Sequence, residues 1–217
     1  MPVSSLTEIE RRQSIISYCL LMNELGINQG MSGNISLRHG DGLLITPTSI
    51  PYDRLEPEDI VYLAADGTPT GRRPPSSEWR FHRDILHARK DVNAVIHAHP
   101  TYCAILAIMH RPIPPIHYMI AVAGGHDIRC APYALFGSEE LSRHAVEALE
   151  QRRACLLAHH GMISVGSSLE KAMWLAVEVE TLARQYHGCL QIGEPPLLTI
   201  EQIQEVATKM AGYGQTE

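Results

Sequence analysis

Apolar residues near the start of the chain recur at helical spacing. Ile15, Ile16, Cys19 and Met22 form one stripe, Ser5 and Glu8 stand at capping-box distance before it, and Gly26 is a stop signal after it. The pattern predicts an opening helix of about five turns. The period then shortens. NISLR (34–38), LLIT (43–46) and IVYLA (60–64) read as strands, and the turn signals Gly40-Asp41-Gly42 and Ala65-Asp66-Gly67 predict antiparallel pairing. The proline-rich stretch GRRPPSS (71–77) opens a helix over 78–89. Next come AVIHAH (94–99), an apolar strand ending in histidines, a helix over 101–110, and a strand over 116–123 closed by Gly124-Gly125. A helix over 138–150 precedes the strand ACLLAH (154–159), with MISVG (162–166) able to pair beside it. Helices over 169–189 and 199–210 finish the chain, and Trp174, Val177 and Val179 read as core positions of the longer one.

Strands and helices mix from end to end without a repeat, a low-complexity stretch or a break in composition. The expectation is one α/β domain over 1–217, with a mixed, largely antiparallel sheet between helices. At 45% apolar and 19% charged residues the chain has a folding rather than a disordered balance. A net charge of −6 argues against nucleic acid as a partner, because phosphate binding needs a dense basic face. No apolar run approaches the roughly 20 residues of a membrane span. The start MPVSSLTEIERRQ lacks the basic flank and apolar stretch of a secretory signal, so the expected location is cytoplasmic. Cysteines 19, 103, 130, 155 and 189 form no CxxC pair and are expected to be reduced.

Histidine departs from the ordinary balance, with 12 against 18 Lys plus Arg, several of them clustered. In His97-Ala98-His99, positions i and i+2 of a strand face the same way, so two imidazoles can reach one ion. His160, in His159-His160-Gly161 at the end of another apolar strand, is the candidate third ligand. His159 beside it is expected to face away. Three histidines leave a coordination position open, as a catalytic metal site requires; hydrogen-bonded core histidines are the plainer alternative. His82, His87, His110, His126, His144 and His187 read as surface residues or as packing behind the ligands. Ser76 and Ser77 precede Glu78 at a helix start, where they either cap the helix or help bind an anion. The loops Gly30-Met31-Ser32-Gly33-Asn34 and Thr46-Pro47-Thr48-Ser49 offer backbone N–H groups to a phosphate or are ordinary turns. Neither is a P-loop, and no dinucleotide fingerprint is present.

The runs GMSGNISLR, LLITPTSIPY, PPSSEWRFH, AVIHAHP, HYMIAVAGG, APYALFG and LLAHHGMI occur in this order. Together, from about Gly30 to Glu180, they resemble the class II aldolase/adducin family in its L-fuculose-1-phosphate aldolase branch. The resemblance implies a three-layer α/β/α sandwich and a homotetramer with active sites between neighbouring subunits. It implies one Zn²⁺ per subunit on His97, His99 and His160, with Glu78 as a fourth ligand at rest. It places a sugar phosphate's phosphoryl group among Asn34, Thr48, Ser76 and Ser77, with Gly33 and Ser49 in the surrounding loops. It has Tyr118 reach into a neighbour's site and Tyr213 cover the pocket. One residue departs from the pattern. Ser49 stands where the family has glycine, which requires a negative φ there or tolerated strain.

The implied activity is metal-dependent retro-aldol cleavage of a ketose 1-phosphate, L-fuculose 1-phosphate or a close relative, to dihydroxyacetone phosphate and an aldehyde. The metal would polarise the ketone, Tyr118 would take the C4 hydroxyl proton, and Glu78 would protonate the enediolate. A lysine Schiff base is the other chemical route, but Lys90, Lys171 and Lys209 sit in none of these motifs. A dehydratase, a decarboxylase or an epimerase on the same scaffold is the alternative among enzymes. A non-catalytic adducin-like head is the alternative outside them, and the intact histidine set speaks against it. Three imidazoles suit Zn²⁺, Mn²⁺ and Co²⁺ alike. The whole reading requires the imidazole nitrogens to lie within about 5 Å of one another.

Overall fold

The protein is described here by a computed structural model covering residues 7–211. Ser5 lies outside these residues. Helix α1 (Glu8–Glu24) is capped by Thr7: its hydroxyl accepts from the Glu10 N–H at 3.3 Å, and the Glu10 carboxylate accepts from the Thr7 N–H at 2.7 Å. Thr7 and Glu10 have the spacing expected of Ser5 and Glu8, two residues later. Gly26 follows the helix at φ +69°, the left-handed conformation that stops it.

The remaining elements are β1 (Asn34–His39), β2 (Gly42–Ile45), β3 (Val61–Leu63), β4 (Pro69–Thr70), α2 (Trp79–Ala88), β5 (Ala94–Ala98) and α3 (Thr101–Ile108). After them come β6 (Arg129–Ala131), α4 (Glu139–Ala148), β7 (Ala154–Leu157), β8 (Gly161–Gly166), α5 (Leu169–Ile192) and α6 (Ile200–Ala211). The strands form one sheet in the order β4-β3-β2-β1-β5-β8-β7-β6, antiparallel throughout except for β6 beside β7. Strand alternation divides the core in two. Ile35, Ile96, Leu156 and Met162 pack toward α1, α3 and α5, whereas Ile45, Val95, Leu157 and Ile163 pack toward Phe81 and Ile85 of α2 and Leu141 and Ala145 of α4. Helices therefore cover both faces of a mixed sheet, the three-layer α/β/α arrangement.

Two expectations are corrected. Residues 116–123 do not form a strand: Tyr118–Ala123 is a 3-10 helix ending at Gly124, φ +90°. Pro114 and Pro115 have no N–H to give a ladder, and only an isolated bridge from Ile113 to Ile128 forms there. Trp174 is not core. It is 51% exposed, because the buried stripe of α5 runs through Leu169, Ala172, Met173, Ala176, Val179 and Ala183, and Trp174 falls beside it. The two-residue β4 and three-residue β6 were not expected, being too short to show alternation.

Two side chains hold elements near the site. The Arg38 guanidinium on β1 donates to the carbonyls of Leu86 at 2.6 Å, Arg89 at 2.9 Å and Val92 at 2.8 Å, tying down the C-terminal end of α2. The Glu180 carboxylate of α5 forks over the start of α3, accepting from the N–H groups of Tyr102 and Cys103, each at 2.9 Å. No cysteine is paired, and among the described residues no helix is long and apolar enough to cross a membrane.

Candidate metal centre

The register Asn34↔His97 and His97↔Ile163 places His97 in the middle of the sheet, between β1 and β8. Because Val95 packs toward α2, His97 faces α2 as well, with the Phe81 ring 5.4 Å away. His99 continues on the same side just past the strand end. His160 lies in the tight turn joining β7 to β8. The three rings converge, with centroids 4.7, 4.8 and 5.0 Å apart, and their ligand nitrogens lie within 4.8 Å of one another. That spacing is of the order an ion with bonds of about 2.1 Å bridges.

His159 is not a ligand, but not because it sits on the opposite face of a strand. The strand ends at Leu157, and His159 occupies the turn at φ +55°, its ring edge-on to His110 at 4.7 Å. Gly161 is required after it: a Cβ there would come within 2.4 Å of the Ala98 carbonyl and 2.7 Å of the His99 ring.

The donors are prepared for a cation. His97 Nδ1 lies 2.9 Å from the Met162 carbonyl, which fixes that nitrogen as the N–H and leaves Nε2 with its lone pair toward the cluster. Burial, then the neighbouring imidazoles, push His99 down to about 3; burial and His97 push His160 down to about 4. Both rings are unprotonated at neutral pH and free to coordinate.

Glu78, 5% exposed, sits immediately before α2 with Oε2 3.2 Å from His97 Nε2 and Oε1 3.4 Å from His160 Nε2. Burial alone pushes its carboxyl up. The imidazoles of His97 and His160 and the amide of Asn34 outweigh that and hold it well below the usual carboxylate range. Its Oε1 is buried and accepts no hydrogen bond. A buried carboxylate oxygen without a donor, beside the imidazole nitrogens of His97 and His160, is the environment a divalent ion satisfies. The residues present therefore fit a metal.

The other expected residues are mostly nearby. The Thr46–Ser49 and Pro74–Ser77 loops lie side by side: Ser76 N–H donates to the Thr46 carbonyl at 2.9 Å and Thr48 N–H to the Pro74 carbonyl at 3.3 Å. Ser76 is buried and its hydroxyl accepts from the Glu78 N–H at 3.3 Å, while Ser77 is exposed beside Glu78. Gly33 lies against the His97 carbonyl, where a Cβ would come within 2.7 Å. Asn34 donates from Nδ2 to Glu78 Oε2 at 3.0 Å. Tyr118 is 49% exposed and does not line the histidine pocket of its own chain. Tyr213 lies outside the described residues.

Ser49 has φ +59°, so the left-handed backbone is retained although glycine is not. Ser49→Gly is expected to raise stability by about 0.5–1 kcal/mol, the relief of left-handed strain less glycine's greater chain entropy when unfolded. A lower urea midpoint for the variant would overturn this.

The pocket at the histidines is lined by Ser32, Ser77, Glu78, His159 and the loop residues Tyr133, Ala134 and Phe136. Residues 133, 134 and 136 were not picked out individually from the sequence, although they lie in the quoted run APYALFG. Their loop is pressed onto Ser77 at Gly137, φ +72°, where a Cβ would come within 2.5 Å of the Ser77 carbonyl. His82 was also passed over: it is fully buried and bonded to Ser36 and Asn34. Burial pushes it down to about 3, so it is neutral.

Fold and site define a metal-dependent lyase, and the comparisons agree. The chain belongs to the class II aldolase and adducin family: the family described as Class II Aldolase and Adducin N-terminal domain matches residues 13–187. It is a class II aldolase, a carbon–carbon lyase. The 5-methylthioribulose-1-phosphate/5-deoxyribulose-1-phosphate aldolase of Rhodospirillum rubrum is 52% identical over 208 residues, 96% of this chain and 94% of that one. The L-fuculose phosphate aldolase of Escherichia coli (strain K12) is 51% identical over 203 residues, 93% of this chain and 94% of that one. A solved structure named L-fuculose 1-phosphate aldolase has a TM-score of 0.92 at 37% identity, covering 96% of this chain and 100% of that one.

Proposed function

We propose that the protein cleaves a ketose 1-phosphate whose far end carries a methyl or similar apolar group, L-fuculose 1-phosphate or a 5-deoxy relative, to dihydroxyacetone phosphate and an aldehyde. One observation carries this reading. The pocket at the histidine cluster combines the Ser32 and Ser77 hydroxyls and the start of α2 with aromatic and apolar surface from Tyr133, Ala134 and Phe136. L-fuculose, 5-deoxyribulose and 5-methylthioribulose, the sugars in the relatives' names, all end in a carbon without a hydroxyl. A sugar phosphate with an apolar terminus would match such a lining.

In this reading the phosphate lies among Asn34, Thr48, Ser76 and Ser77, with Gly33 and Ser49 shaping the loops, where hydroxyls and the positive end of α2 favour an anion. Such binding positions the scissile bond without touching it. His97, His99 and His160 hold the ion, Zn²⁺ in this reading, with Glu78 completing the set at rest. When bound, the ion supplies Lewis-acid stabilisation of the charge that collects on the carbonyl oxygen. Tyr118 of a neighbouring subunit accepts the C4 hydroxyl proton as the C3–C4 bond opens, and the bonding pair passes toward the carbonyl. Glu78, which would take up a proton from water once the substrate displaces its carboxylate from the histidine cluster, then delivers that proton to C3. Its 3.2 Å approach to His97 keeps the carboxylate at the reacting end of the pocket. Tyr118 is exposed and away from its own pocket, which leaves it available to a neighbouring subunit; a homotetramer in the cytoplasm completes the proposal.

A panel of L-fuculose, L-rhamnulose, D-ribulose and 5-deoxy-D-ribulose 1-phosphates, read by aldehyde release, tests the proposal. The 5-deoxy sugar is expected to exceed ribulose 1-phosphate in kcat/KM by about 10- to 100-fold, the usual discrimination of an apolar pocket against an added hydroxyl. Equal values would reject the apolar terminus, and no aldehyde from any of the four would reject the substrate class.

A further inference from the structure

Four polar side chains run behind the metal cluster as an unbroken relay. Asn34 and Ser36 lie two apart on β1 and face α2; Glu78 and His82 lie four apart at the start of α2 and face β1. His82 Nδ1 is 2.7 Å from Ser36 Oγ, His82 Nε2 meets Asn34 Oδ1, and Asn34 Nδ2 is 3.0 Å from Glu78 Oε2. Ser36 and His82 are 0% exposed, Asn34 4% and Glu78 5%, so no bulk water competes.

Donor and acceptor chemistry leaves one assignment. An ionised carboxylate only accepts, so the nitrogen end of the Asn34 amide must face Glu78. The oxygen end then faces His82, which must donate from Nε2. Nδ1 is left without a proton and accepts from the Ser36 hydroxyl. The ring that looks like core packing determines which end of an amide meets the proposed acid–base residue.

We propose that His82 is a positioning residue for the lyase reaction: it locks the Asn34 amide so that an N–H holds Glu78 against the metal histidines, and Ser36 sets the His82 tautomer. The proposal rests on the reading of Glu78 as the group that protonates C3. Without the His82 donor, Asn34 is free to turn its oxygen toward the carboxylate, and Glu78 swings from its position.

The first measurement needs no turnover. With 15N-labelled histidine, His82 is expected as the Nε2–H tautomer; an Nδ1–H tautomer overturns the proposal. The second uses two replacements. His82→Phe fills the space but cannot donate, and is expected to lower kcat by about 10- to 100-fold and to weaken zinc in competition with a chromogenic chelator, with KM within about threefold. His82→Gln, whose amide N–H can take the place of Nε2–H, is expected to keep kcat within about fivefold. In an Asn34→Ala background, His82→Phe is expected to cost less than about threefold more, because its route is already cut. Full additivity with Asn34→Ala, or equal losses for Phe and Gln that follow Tm, would mean a structural role only. Should His82→Phe not fold, Ser36→Ala replaces it, with both tautomers and a lowered kcat expected; a single Nε2–H tautomer at full kcat would reject the Ser36 step. Near-normal turnover of Glu78→Gln would defeat the reading of Glu78 itself, whereas an inactive Glu78→Gln beside an Nδ1–H tautomer defeats only the role of His82.

Discussion

Replacing Glu78 with glutamine is expected to lower turnover by about 10²-fold or more while the three histidines keep their ion. Glutamine matches the volume of glutamate and can still accept from the Asn34 N–H through its carbonyl, so the buried packing survives. What it lacks is the ability to carry a proton to C3. Of the described side chains placed in direct contact with the histidine nitrogens, Glu78 is the carboxylate, at 3.2 Å from His97 and 3.4 Å from His160. The variant should also fail in the partial reaction: wild type is expected to exchange a C3 proton of dihydroxyacetone phosphate with deuterated water, and Glu78→Gln is not. Metal analysis beside the assay separates loss of chemistry from loss of the ion. Turnover close to wild type would remove Glu78 from the mechanism.

Chelation has a larger expected effect still. Stripping the ion should reduce kcat/KM by about 10³-fold or more, since Lewis-acid stabilisation of a developing oxyanion amounts to several kcal/mol. Zinc should restore it. The fold, by contrast, should persist, with far-UV circular dichroism unchanged. In small zinc modules the ion makes the structure. Here His97 is held by β-ladder bonds on both sides and by the Met162 carbonyl, and His160 by a turn whose N–H groups reach the Leu157 and Ala107 carbonyls. Full activity in protein verified to be metal-free would overturn the metal-dependent reading.

Much of this was legible in the sequence for identifiable reasons. Strand alternation put His97 and His99 on one face, the apolar run before His160 marked a second strand ending in histidines, and the prolines and serines before Glu78 announced a helix start. What was not legible was whatever lacks a period. The 3-10 segment Tyr118–Ala123 shows apolar residues that mimic a strand, and only the prolines before it hint that no ladder forms. Of Trp174, Val177 and Val179, only Trp174 falls outside the core: Val179 lies in the buried stripe of α5 and Val177 packs against it. The pocket wall at Tyr133 and Phe136 is loop, and its placement depends on the approach of Gly137 to Ser77. His82 did have a signal, four residues beyond Glu78 and opposite Asn34 and Ser36, but the pairing of β1 with α2 is a tertiary fact. Ser49 posed a question that only its φ could answer.

The forked carboxylate of Glu180 also matters for how losses of activity will map onto the chain. It grips two amides in the first turn of α3, those of Tyr102 and Cys103, three and four residues after His99. The grip comes from α5, which packs on the sheet face opposite the one His97 presents. A change at Glu180 would thus reach the metal ligand through the backbone rather than by touching it. Random mutagenesis scored by aldehyde release should return this glutamate among its hits, a lesion that looks remote on a surface map although its carboxylate holds amides three and four residues beyond the ion's second histidine.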